Sequence, residues 1–296
     1  MKLRIFFALA FAMSGVAAHA NVEGTANQPG FNATANAGVY PGKGLLGVVT
    51  YGHYRLQGVN EHGTDHASPK YTSVDVLLPH LSYYTDKKVL GGFYSFGATA
   101  VIGGLYYDHS GVQSGVSRSP WFTPIRLNWT LGDDVHIAAG YTFRLGSSLA
   151  STSTDKTYDV HILNSNFTYN INEQWQLNGS VSIEHRTKDL RQNQSWQPGN
   201  IGYFEGSAVY KFESGRTLGA YGYHVTHLNK DKGTQFTPEG SLIMGSGYAN
   251  LTGIGAEFTS PISLLKSTMS VRVFSEPSRS NHMYGTRAFV SLTHKF

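Results

Sequence analysis

Two short runs of residues in this chain are of the types that hydrolases use. Asp65 is followed by His66, and Asp108 is followed by His109 and Ser110. In a hydrolase an aspartate orients a histidine, and the histidine then activates a serine or a water molecule. Residues adjacent in sequence rarely form a working triad, however, and both runs lie in polar stretches where such residues are ordinary. An enzyme is therefore the less favoured interpretation, and no catalytic residue is assigned.

Metal and cofactor sites have weaker support still. The chain has no cysteine, which excludes thiolate zinc sites, thiol nucleophiles and redox pairs. His224 and His227 are three residues apart, so on a strand they point to opposite faces. No helical pattern follows Gly253-Ile254-Gly255, so this stretch is not expected to bind phosphate. We expect neither a metal nor a cofactor.

The elements that carry these residues are predicted to be strands. The 296 residues include 34 Gly, 18 Tyr and 16 Phe, and only 14% are charged, which favours strands separated by turns. The 23 Lys and Arg exceed the 19 Asp and Glu to give a net charge of +4, and the basic residues are scattered. A nucleic-acid partner is not expected, because it requires a basic patch.

Residues 1–20 have the pattern of a secretory signal peptide. A basic start with Lys2 and Arg4 precedes a short apolar run, and Ala18-His19-Ala20 resembles a cleavage site. An ordinary N-terminal core helix is the alternative. The mature chain is predicted to begin near Asn21 after export through the inner membrane. No later apolar stretch approaches the roughly 18 residues of a membrane helix, so any crossing of a membrane must use strands.

From residue 43 onward, segments with a two-residue period alternate with turn signals and predict twelve strands. In one of them Val135, Ile137 and Ala139 face one way, while His136 and Thr142 face the other. The predicted strands are 43–56, 71–85, 91–107, 120–132, 134–146, 157–171, 173–186, 200–213, 215–229, 246–259, 266–275 and 284–296.

The connections between these strands favour a membrane barrel over a soluble sandwich or propeller. Short turns are predicted at 86–88, 132–134, 172–174, 213–215 and 260–262, and longer loops at 58–70, 108–119, 187–199 and 230–245. Short periplasmic turns that alternate with long external loops are typical of outer-membrane barrels. Sandwiches and propellers give no reason for this parity. The predicted fold class is all-β, an antiparallel transmembrane β-barrel of about 12 strands.

Aromatic residues and the C-terminus agree with this fold. Trp121, Trp129 and Trp175 lie near strand ends, as the aromatic girdles of a membrane barrel require. The chain ends in TRAFVSLTHKF, one side of which is apolar. We predict that this side faces lipid and that Phe296 lies at the periplasmic rim. The strand resembles the assembly signal of outer-membrane barrels, which implies the barrel-assembly machinery and outer-membrane lipid as partners.

The chain therefore divides into a signal peptide at 1–20, an N-terminal segment at 21–42 and a barrel at 43–296. The segment NVEGTANQPGFNATANAGVYPG is rich in Asn, Ala and Gly. It is either a disordered periplasmic lead-in or a segment that enters the pore and narrows it. Phe31, Val39 and Tyr40 favour the second alternative slightly, because their side chains gain from burial.

Two stretches, 76–104 and 121–146, resemble a known family. The first contains Tyr83-Tyr84-Thr85-Asp86 before Leu90-Gly91-Gly92, and the second contains Pro124-Ile125-Arg126-Leu127-Asn128-Trp129 before a glycine-containing turn. Both are similar to outer-membrane proteins associated with the meta-cleavage pathway of phenol degradation. Many relatives carry Pro-Thr-Gly where this chain has Arg144-Leu145-Gly146-Ser147. The resemblance implies uptake of aromatic or other poorly soluble compounds, and it supplies no catalytic residues.

If the apolar sides of the strands face lipid, the opposite sides line the lumen. The predicted charged lining residues are Asp75, Arg126, Arg144, Glu184, Lys211, Glu257, Arg272 and Arg287, and the apolar ones are Leu77, Val101, Phe122, Val209, Leu218, Phe274 and Phe289. Charges of both signs across a narrow lumen either select polar solutes or pair and brace the interior. Apolar and polar groups side by side suit a phenol-like guest.

The resulting expectation is an outer-membrane channel for passive uptake of small aromatic or other hydrophobic compounds. The alternatives are a general small-solute porin, a plugged structural or adhesive barrel, and an outer-membrane hydrolase. Preferential phenol flux through the refolded protein would separate the first from the others, because a porin passes sugar and ions equally well.

Overall fold

The computed structural model describes residues 29–30, 32, 34–61, 64–67, 73–107, 111–116, 120–146, 157–190, 195–233, 235–236, 242–243 and 248–296. The predicted signal peptide and the run Asp108-His109-Ser110 lie outside these residues. The described chain is built from strands, with one short 3-10 helix at Ser263–Leu265. Within this part of the chain, no helix is long and apolar enough to span a membrane.

Seventeen strands are present in the described residues. They are β1 (Gly44–Glu61), β2 (Thr64–Ala67), β3 (Ser73–Val89), β4 (Gly92–Thr99), β5 (Ile102–Tyr107), β6 (Gly111–Val116), β7 (Trp121–Leu131), β8 (Val135–Arg144), β9 (Val160–Asn170), β10 (Trp175–Arg186), β11 (Ile201–Lys211), β12 (Thr217–His227), β13 (Gln235–Phe236), β14 (Leu242–Ile243), β15 (Asn250–Ile262), β16 (Ser267–Ser280) and β17 (Met283–Lys295).

These strands close into an antiparallel barrel. Neighbouring strands pair in the order β1, β3, β4, β7, β8, β9, β10, β11, β12, β15, β16 and β17, and β17 returns to β1. Strands β4 and β5 are two halves of the one strand predicted at 91–107. The described barrel therefore has the twelve strands expected from sequence. Closure leaves no free edge in this ring, because the last strand pairs with the first from Leu46–Lys295 to Val59–Met283.

Three connections differ from the prediction. Strand β3 runs through the predicted turn at 86–88, and the chain reverses at Leu90 and Gly91. Both residues have positive φ, 50° and 79°, as a tight hairpin turn requires. Strand β15 likewise runs through 260–262 and the chain reverses at 263–266. The connection predicted at 276–283 is strand up to Ser280, followed by a two-residue turn.

Sequence reasoning also missed the short strands β2, β6, β13 and β14. β2 pairs with the end of β1, and β6 pairs with β5. Both short strands lie outside the ring of twelve and add to the wall at one end of the barrel. β13 and β14 pair only with each other among the described residues. These strands lie within stretches predicted as long loops, where turn residues interrupt the alternation that identifies a strand.

The two faces of the wall have the polarity of a membrane barrel. In β10, Val181 and Ile183 are each 46% exposed, whereas Ser182 and Glu184 are buried. A soluble protein buries the apolar face of such a strand, and here the apolar face is the outer one. The largest apolar cluster of the described residues lies inside the barrel, on β11, β12 and β15–β17. It comprises Ile201, Tyr203, Tyr221, Tyr223, Val225, Leu251, Phe274 and Phe289.

Candidate functional site: the barrel lumen

The described part of the N-terminal segment, from Gly30 to Gly38, contacts the inner face of the barrel. The Glu205 carboxylate of β11 accepts hydrogen bonds from the backbone nitrogens of Gly30, at 3.2 Å, and Asn32, at 2.8 Å. Arg272 of β16 donates from Nη1 to the carbonyl oxygen of Gly30, at 2.7 Å. On the opposite wall, Arg126 of β7 donates from Nη2 to the carbonyl oxygen of Ala37, at 2.9 Å. Residues 30, 32 and 34–38 thus bridge facing walls of the barrel.

Further contacts join this segment to β9, β10 and β15. Gly38 donates its backbone N–H to the Thr168 hydroxyl, at 3.0 Å, and Asn36 donates to Oε1 of Gln176, at 3.0 Å. Gln176 in turn donates from Nε2 to the side-chain oxygen of Asn36, at 2.9 Å. Most of these bonds involve backbone groups of the segment. The wall therefore supplies hydrogen-bond partners to a backbone that, in its described residues, forms no helix or strand.

Small residues allow the segment to lie against the wall. A Cβ atom at Gly38 would lie 2.6 Å from the carbonyl oxygen of His136, which no real side chain tolerates. Gly30 has a φ of +83°, a conformation that favours glycine, and a Cβ there would lie 2.9 Å from the Phe274 ring. Gly30 and Gly38 are therefore required because the backbone lies close to the barrel wall at these two positions.

The segment is anchored at the periplasmic rim. Tyr40 stacks on Phe93 with ring centroids 4.3 Å apart and donates its hydroxyl to the carbonyl oxygen of Thr85, at 2.7 Å. Burial of the ring and the nearby Asp86 carboxylate raise the pKa of Tyr40. Lys43 donates to Asp86, at 2.7 Å, and this bond raises the pKa of the Lys43 ammonium group. The start of β1 and the end of β3 are thereby tied together.

The lumen has two chemically different walls. The wall formed by β7–β10 is polar, with buried side chains that include Asn128, Asn166, Thr168, Gln176, Asn178, Ser180 and Ser182. The wall formed by β11, β12 and β15–β17 carries the aromatic cluster defined above. In it, Phe274 packs edge-on against Tyr221 and Tyr223, with centroids 5.1 and 5.3 Å apart. A solute in this lumen meets amides and hydroxyls on one side and rings on the other.

Toward the extracellular end, one buried carboxylate organises the aromatic wall. Glu276 accepts from Nε of Arg287, at 2.6 Å, and from the hydroxyls of Tyr54, at 2.7 Å, and Tyr223, at 2.6 Å. It also accepts from the backbone nitrogen of Gly285, at 2.7 Å. The Arg287 guanidinium lies 4.0 Å from the centre of the Tyr54 ring. Besides Arg287, three donors therefore bind this carboxylate, as burial of a charge pair requires.

A second buried ion pair lies on β10. Arg186 donates from Nε to Glu184, at 2.6 Å, and both side chains are fully buried. Tyr203 donates to the other carboxylate oxygen of Glu184, at 2.7 Å. The Arg186 guanidinium also lies 5.8 Å from the centre of the Tyr158 ring. Tyr158 belongs to a second interior cluster with Val160, Ile162 and Trp196.

Most residues predicted to line the lumen lie on the inner face. These are Arg126, Arg144, Glu184, Lys211, Val209, Glu257, Arg272, Phe274, Arg287 and Phe289. Arg272 lies 3.8 Å from Glu257 and 5.2 Å from the Phe289 ring, and Arg126 donates to Asn166 at 3.0 Å. The structure thus gives these charges bracing partners or contacts with the N-terminal segment.

The prediction was wrong for Asp75, which faces outward. Asp75 pairs across the sheet with His53, and its carboxylate lies 2.8 Å from the His53 ring and also accepts from Tyr51. Thr50, on the opposite face of β1, is buried against Ser291 inside the barrel. In β3 both faces carry apolar residues, so alternation alone did not fix its register. Leu77 faces outward for the same reason.

The prediction was also wrong for Phe122. Phe122 is 42% exposed and pairs with Phe143 on the outer face, with ring centroids 5.7 Å apart. The pairing register of β7 shifts between Phe122 and Ile125, across Pro124. Such a bulge moves following residues to the other face, so Phe122 and Arg126 do not share a side. Leu218, which is 51% exposed, faces outward in β12.

Phe296 lies at the rim where β1 begins and β17 ends, and it is 67% exposed. Its backbone nitrogen donates to the carbonyl oxygen of Leu45, at 2.9 Å, which completes the seam between the first and last strands. The ring packs edge-on against His294, with centroids 4.5 Å apart. This geometry leaves the terminal aromatic ring accessible outside the barrel.

Several residues that shape the lumen were not identified from sequence. Glu205 and Arg186 alternate with outward apolar residues in predicted strands, so the same alternation could have placed them inside. Glu276 lies just beyond the predicted end of its strand and carried no such signal. The contacts of residues 30–38 carried none either, because a segment without periodicity does not indicate its partners.

Closed strands, an apolar exterior and a polar interior define an outer-membrane-type β-barrel with an occupied lumen. The chain belongs to the family described as "Putative MetA-pathway of phenol degradation", whose model matches residues 56–263. The family resemblance recognised in the sequence is thereby confirmed. A search of curated proteins finds no match to this chain.

Solved structures share the fold. The COG4313 outer membrane channel from Pseudomonas putida F1 overlaps with a TM-score of 0.71 at 12% identity, over 91% of this chain and 100% of the other. The β domain of the Bordetella autotransporter BrkA overlaps with a TM-score of 0.50 at 8% identity, over 86% and 100%. A deltaS2 mutant of the TodX monoaromatic hydrocarbon channel has a TM-score of 0.46 at 10% identity, over 88% and 91%.

Proposed function

We propose that this protein is an outer-membrane channel for passive uptake of small aromatic or other hydrophobic compounds of phenol-like chemistry. Membership of a family named for phenol degradation supports the substrate class. The fold shared with a protein described as an outer membrane channel supports the location and the mode of action. The partners proposed with this function are outer-membrane lipid, the barrel-assembly machinery and the solute itself.

The two-walled lumen is the observation that carries this proposal. A phenol has an apolar ring and one polar hydroxyl, so it loses contacts in a lumen that is polar throughout or apolar throughout. Here the aromatic cluster of β11, β12 and β15–β17 faces amide and hydroxyl groups of β7–β10. Rings pack edge-on or offset against other rings, and nearby polar groups bind a hydroxyl.

The solute enters between the long loops and moves through the upper lumen, the half of the lumen nearer these loops. It then leaves toward the periplasm down its concentration gradient. The described residues of the N-terminal segment lie across this path in the lower lumen. Arg272 and Arg126 donate hydrogen bonds to them, and Glu205 and Gln176 accept hydrogen bonds from them. Water can replace these bonds one by one, so displacement of the segment requires no break in the barrel wall.

Flux into liposomes tests the proposal. The mature chain is refolded into liposomes, and entry of phenol, a neutral sugar and an inorganic ion is compared with entry into empty liposomes. Since phenol crosses lipid unaided, the informative quantity is the excess rate over that background. We expect an excess for phenol and little for sugar or ion. Equal acceleration of all three indicates a general porin, and no acceleration indicates a plugged barrel or an outer-membrane hydrolase.

A further inference from the structure

Two buried histidines in the upper lumen have ring nitrogens that lack hydrogen-bond partners among the described residues. His227, the last residue of β12, is 3% exposed, and neither of its ring nitrogens is paired. His282 lies in the turn between β16 and β17, is 5% exposed, and its Nε2 is unpaired. Buried polar atoms have given up water, so an atom without a partner indicates an absent one.

The fold holds these two rings near each other. Thr226 pairs with Asn250 of β15, and Asn250 pairs with Ser280 of β16, so a single strand separates the two histidines. Adjacent strands are about 4.8 Å apart, which places the two backbones about 10 Å apart on one side of the sheet. Both side chains are buried on the inner side of this part of the wall, so the two rings lie in the same region of the lumen.

The hydrogen-bonding role of His282 follows from its other nitrogen. Nδ1 lies 2.6 Å from the carbonyl oxygen of Met283, which can only accept, so Nδ1 carries the hydrogen. Burial lowers the pKa of His282 and keeps the ring neutral. Its unpaired Nε2 is therefore an acceptor. A neutral His227 offers one donor and one acceptor, both unpaired.

We propose that His227 and His282 bind the hydroxyl group of a phenolic compound in the upper lumen. This inference rests on the proposed function and gives it a specific site. One hydroxyl donates to Nε2 of His282 and accepts from the N–H of His227, so a single group satisfies both rings. An aryl ether of similar size has no hydrogen to donate and leaves Nε2 of His282 unpaired.

The surrounding charges favour a neutral phenol over a phenolate. The neighbours whose charges act on the two histidines are Arg186, Glu184, Arg287 and Glu276. They form the two ion pairs described above, at 2.6 Å each, so each guanidinium is already matched by a carboxylate. No described cation at this site is left without a carboxylate partner to attract an anion.

Aromatic groups are available for the ring of the guest. Tyr158 packs edge-on against Trp196, with centroids 5.8 Å apart, and the Tyr158 ring lies 5.8 Å from the guanidinium of Arg186, whose charge acts on both histidines. A phenol anchored by its hydroxyl can place its ring against such groups, which prefer edge-on and offset contacts.

Binding of phenol and anisole to the refolded mature chain in detergent, measured by titration calorimetry, tests this site. We expect wild type to bind phenol at least fivefold more tightly than anisole. His227→Phe and His282→Phe should abolish this preference. Folding of each variant is checked on a gel, where the unheated folded barrel migrates differently from the boiled, unfolded protein. His227→Phe removes only unpaired nitrogens, whereas His282→Phe also removes the hydrogen bond to the carbonyl oxygen of Met283, so the gel shift is the check that each variant still folds.

His224→Phe is the matched control. His224 lies in the same strand three residues earlier but faces outward, where its ring is 2.9 Å from the Thr252 hydroxyl. This variant should keep the preference for phenol. Equal binding of phenol and anisole by wild type, or a preference that survives in both histidine variants, would overturn the site and leave water as the partner of these nitrogens.

Flux measurements separate failure of the site from failure of the channel. If wild-type liposomes accelerate phenol entry but the histidine variants keep the phenol preference in binding, the proposed function stands and the site is wrong. If wild type neither binds phenol nor accelerates its entry, both proposals are wrong. If binding shows the preference but flux shows no excess, the site stands and transport does not.

Discussion

Arg272 donates a hydrogen bond from Nη1 to the carbonyl oxygen of Gly30, at 2.7 Å, across 242 residues of sequence. The same guanidinium donates from Nη2 to Ser291 of β17, at 3.2 Å, so it joins the segment in the lumen to two strands of the wall. Arg126 makes the corresponding bond from the opposite wall, to Ala37. Two arginines that the sequence predicts to line the lumen, either for solute selection or for bracing, therefore position a piece of the protein's own chain.

Arg272→Ala and Arg126→Ala should make the barrel leakier. A hydrogen bond to a charged group contributes about 1.5–3 kcal/mol. Loss of one such bond therefore shifts the equilibrium from the segment bound in the lumen toward the displaced segment by about tenfold or more. We expect entry of a neutral sugar into liposomes to rise severalfold for each variant and further for the double variant. Swelling of the liposomes in the sugar measures this rate.

Arg216→Ala is the control for charge removal, because Arg216 is exposed in the connection between β11 and β12 and lies outside the lumen. It should leave sugar entry unchanged. Unchanged entry in the Arg272 and Arg126 variants as well would show that the segment does not limit permeation.

Glu276→Gln should destabilise the barrel strongly. The substitution keeps the shape of the side chain but leaves the buried guanidinium of Arg287 without its counter-charge, which costs about 3–5 kcal/mol in buried pairs. Tyr223→Phe removes one hydroxyl that donates to the same carboxylate and should cost about 1 kcal/mol. Urea unfolding in detergent, followed by loss of the fast-migrating folded band on a gel, measures both.

The matched control is Glu213→Gln in the exposed turn after β11, which should change stability by no more than about 0.5 kcal/mol. A loss for Glu276→Gln as small as that of the control would mean that water reaches the Arg287 site and screens its charge.

The barrel was predictable because the physics that forms it is local. Each strand must present apolar atoms to lipid and polar atoms to the lumen, so apolar and polar residues alternate along every strand. Counting the alternating segments then gives the number of strands. The C-terminal strand was predictable for the same reason, and Val290 is 42% exposed on the predicted lipid side. Turn positions were less predictable, since β3 and β15 continue past residues that commonly form turns.

The interior was less predictable because it depends on register and on distant contacts. One bulge around Pro124 reversed the assignment of Phe122, and two apolar faces in β3 reversed that of Asp75. Glu205 could be assigned to the inner face from its strand, but not to the backbone of Gly30 and Asn32, 173 or more residues earlier. A segment without periodicity carries no signal of the wall that it meets.

The outward positions of Asp75 and Phe122 can be tested with single cysteines, because the natural chain contains none. Asp75→Cys and Phe122→Cys are each labelled with a nitroxide and placed in liposomes. Oxygen dissolved in the lipid should raise the spin relaxation rate of both labels. Ser182→Cys is the inner-face control, since Ser182 is 1% exposed and its strand neighbours face lipid. Its label should respond little to oxygen. If oxygen affects the label at Ser182 but not the label at Phe122, the assignment of these residues to the inner and outer faces is wrong.

The buried His282 should make stability fall as the pH is lowered. Burial lowers its pKa in the folded state, so below about pH 6.5 the unfolded chain takes up a proton that the folded chain does not. Stability from this residue is thus present at neutral pH and is lost as the pH falls. The charged groups that act on His282 are Arg287, Glu276 and Arg186, which remain in their ion pairs in this range.

Replacement by phenylalanine removes this proton site and gives the measurement. The loss for wild type is bounded by about 1.4 kcal/mol for each pH unit below the unfolded pKa. His282→Phe should therefore lose less stability than wild type between pH 7.5 and 5.5, by up to about 1.4 kcal/mol, in urea unfolding of the detergent-refolded protein. If the free energy of unfolding falls with pH in parallel for the two proteins, His282 takes up its proton equally well in the folded and unfolded chains. That result would contradict the effect expected from its burial beside Arg287.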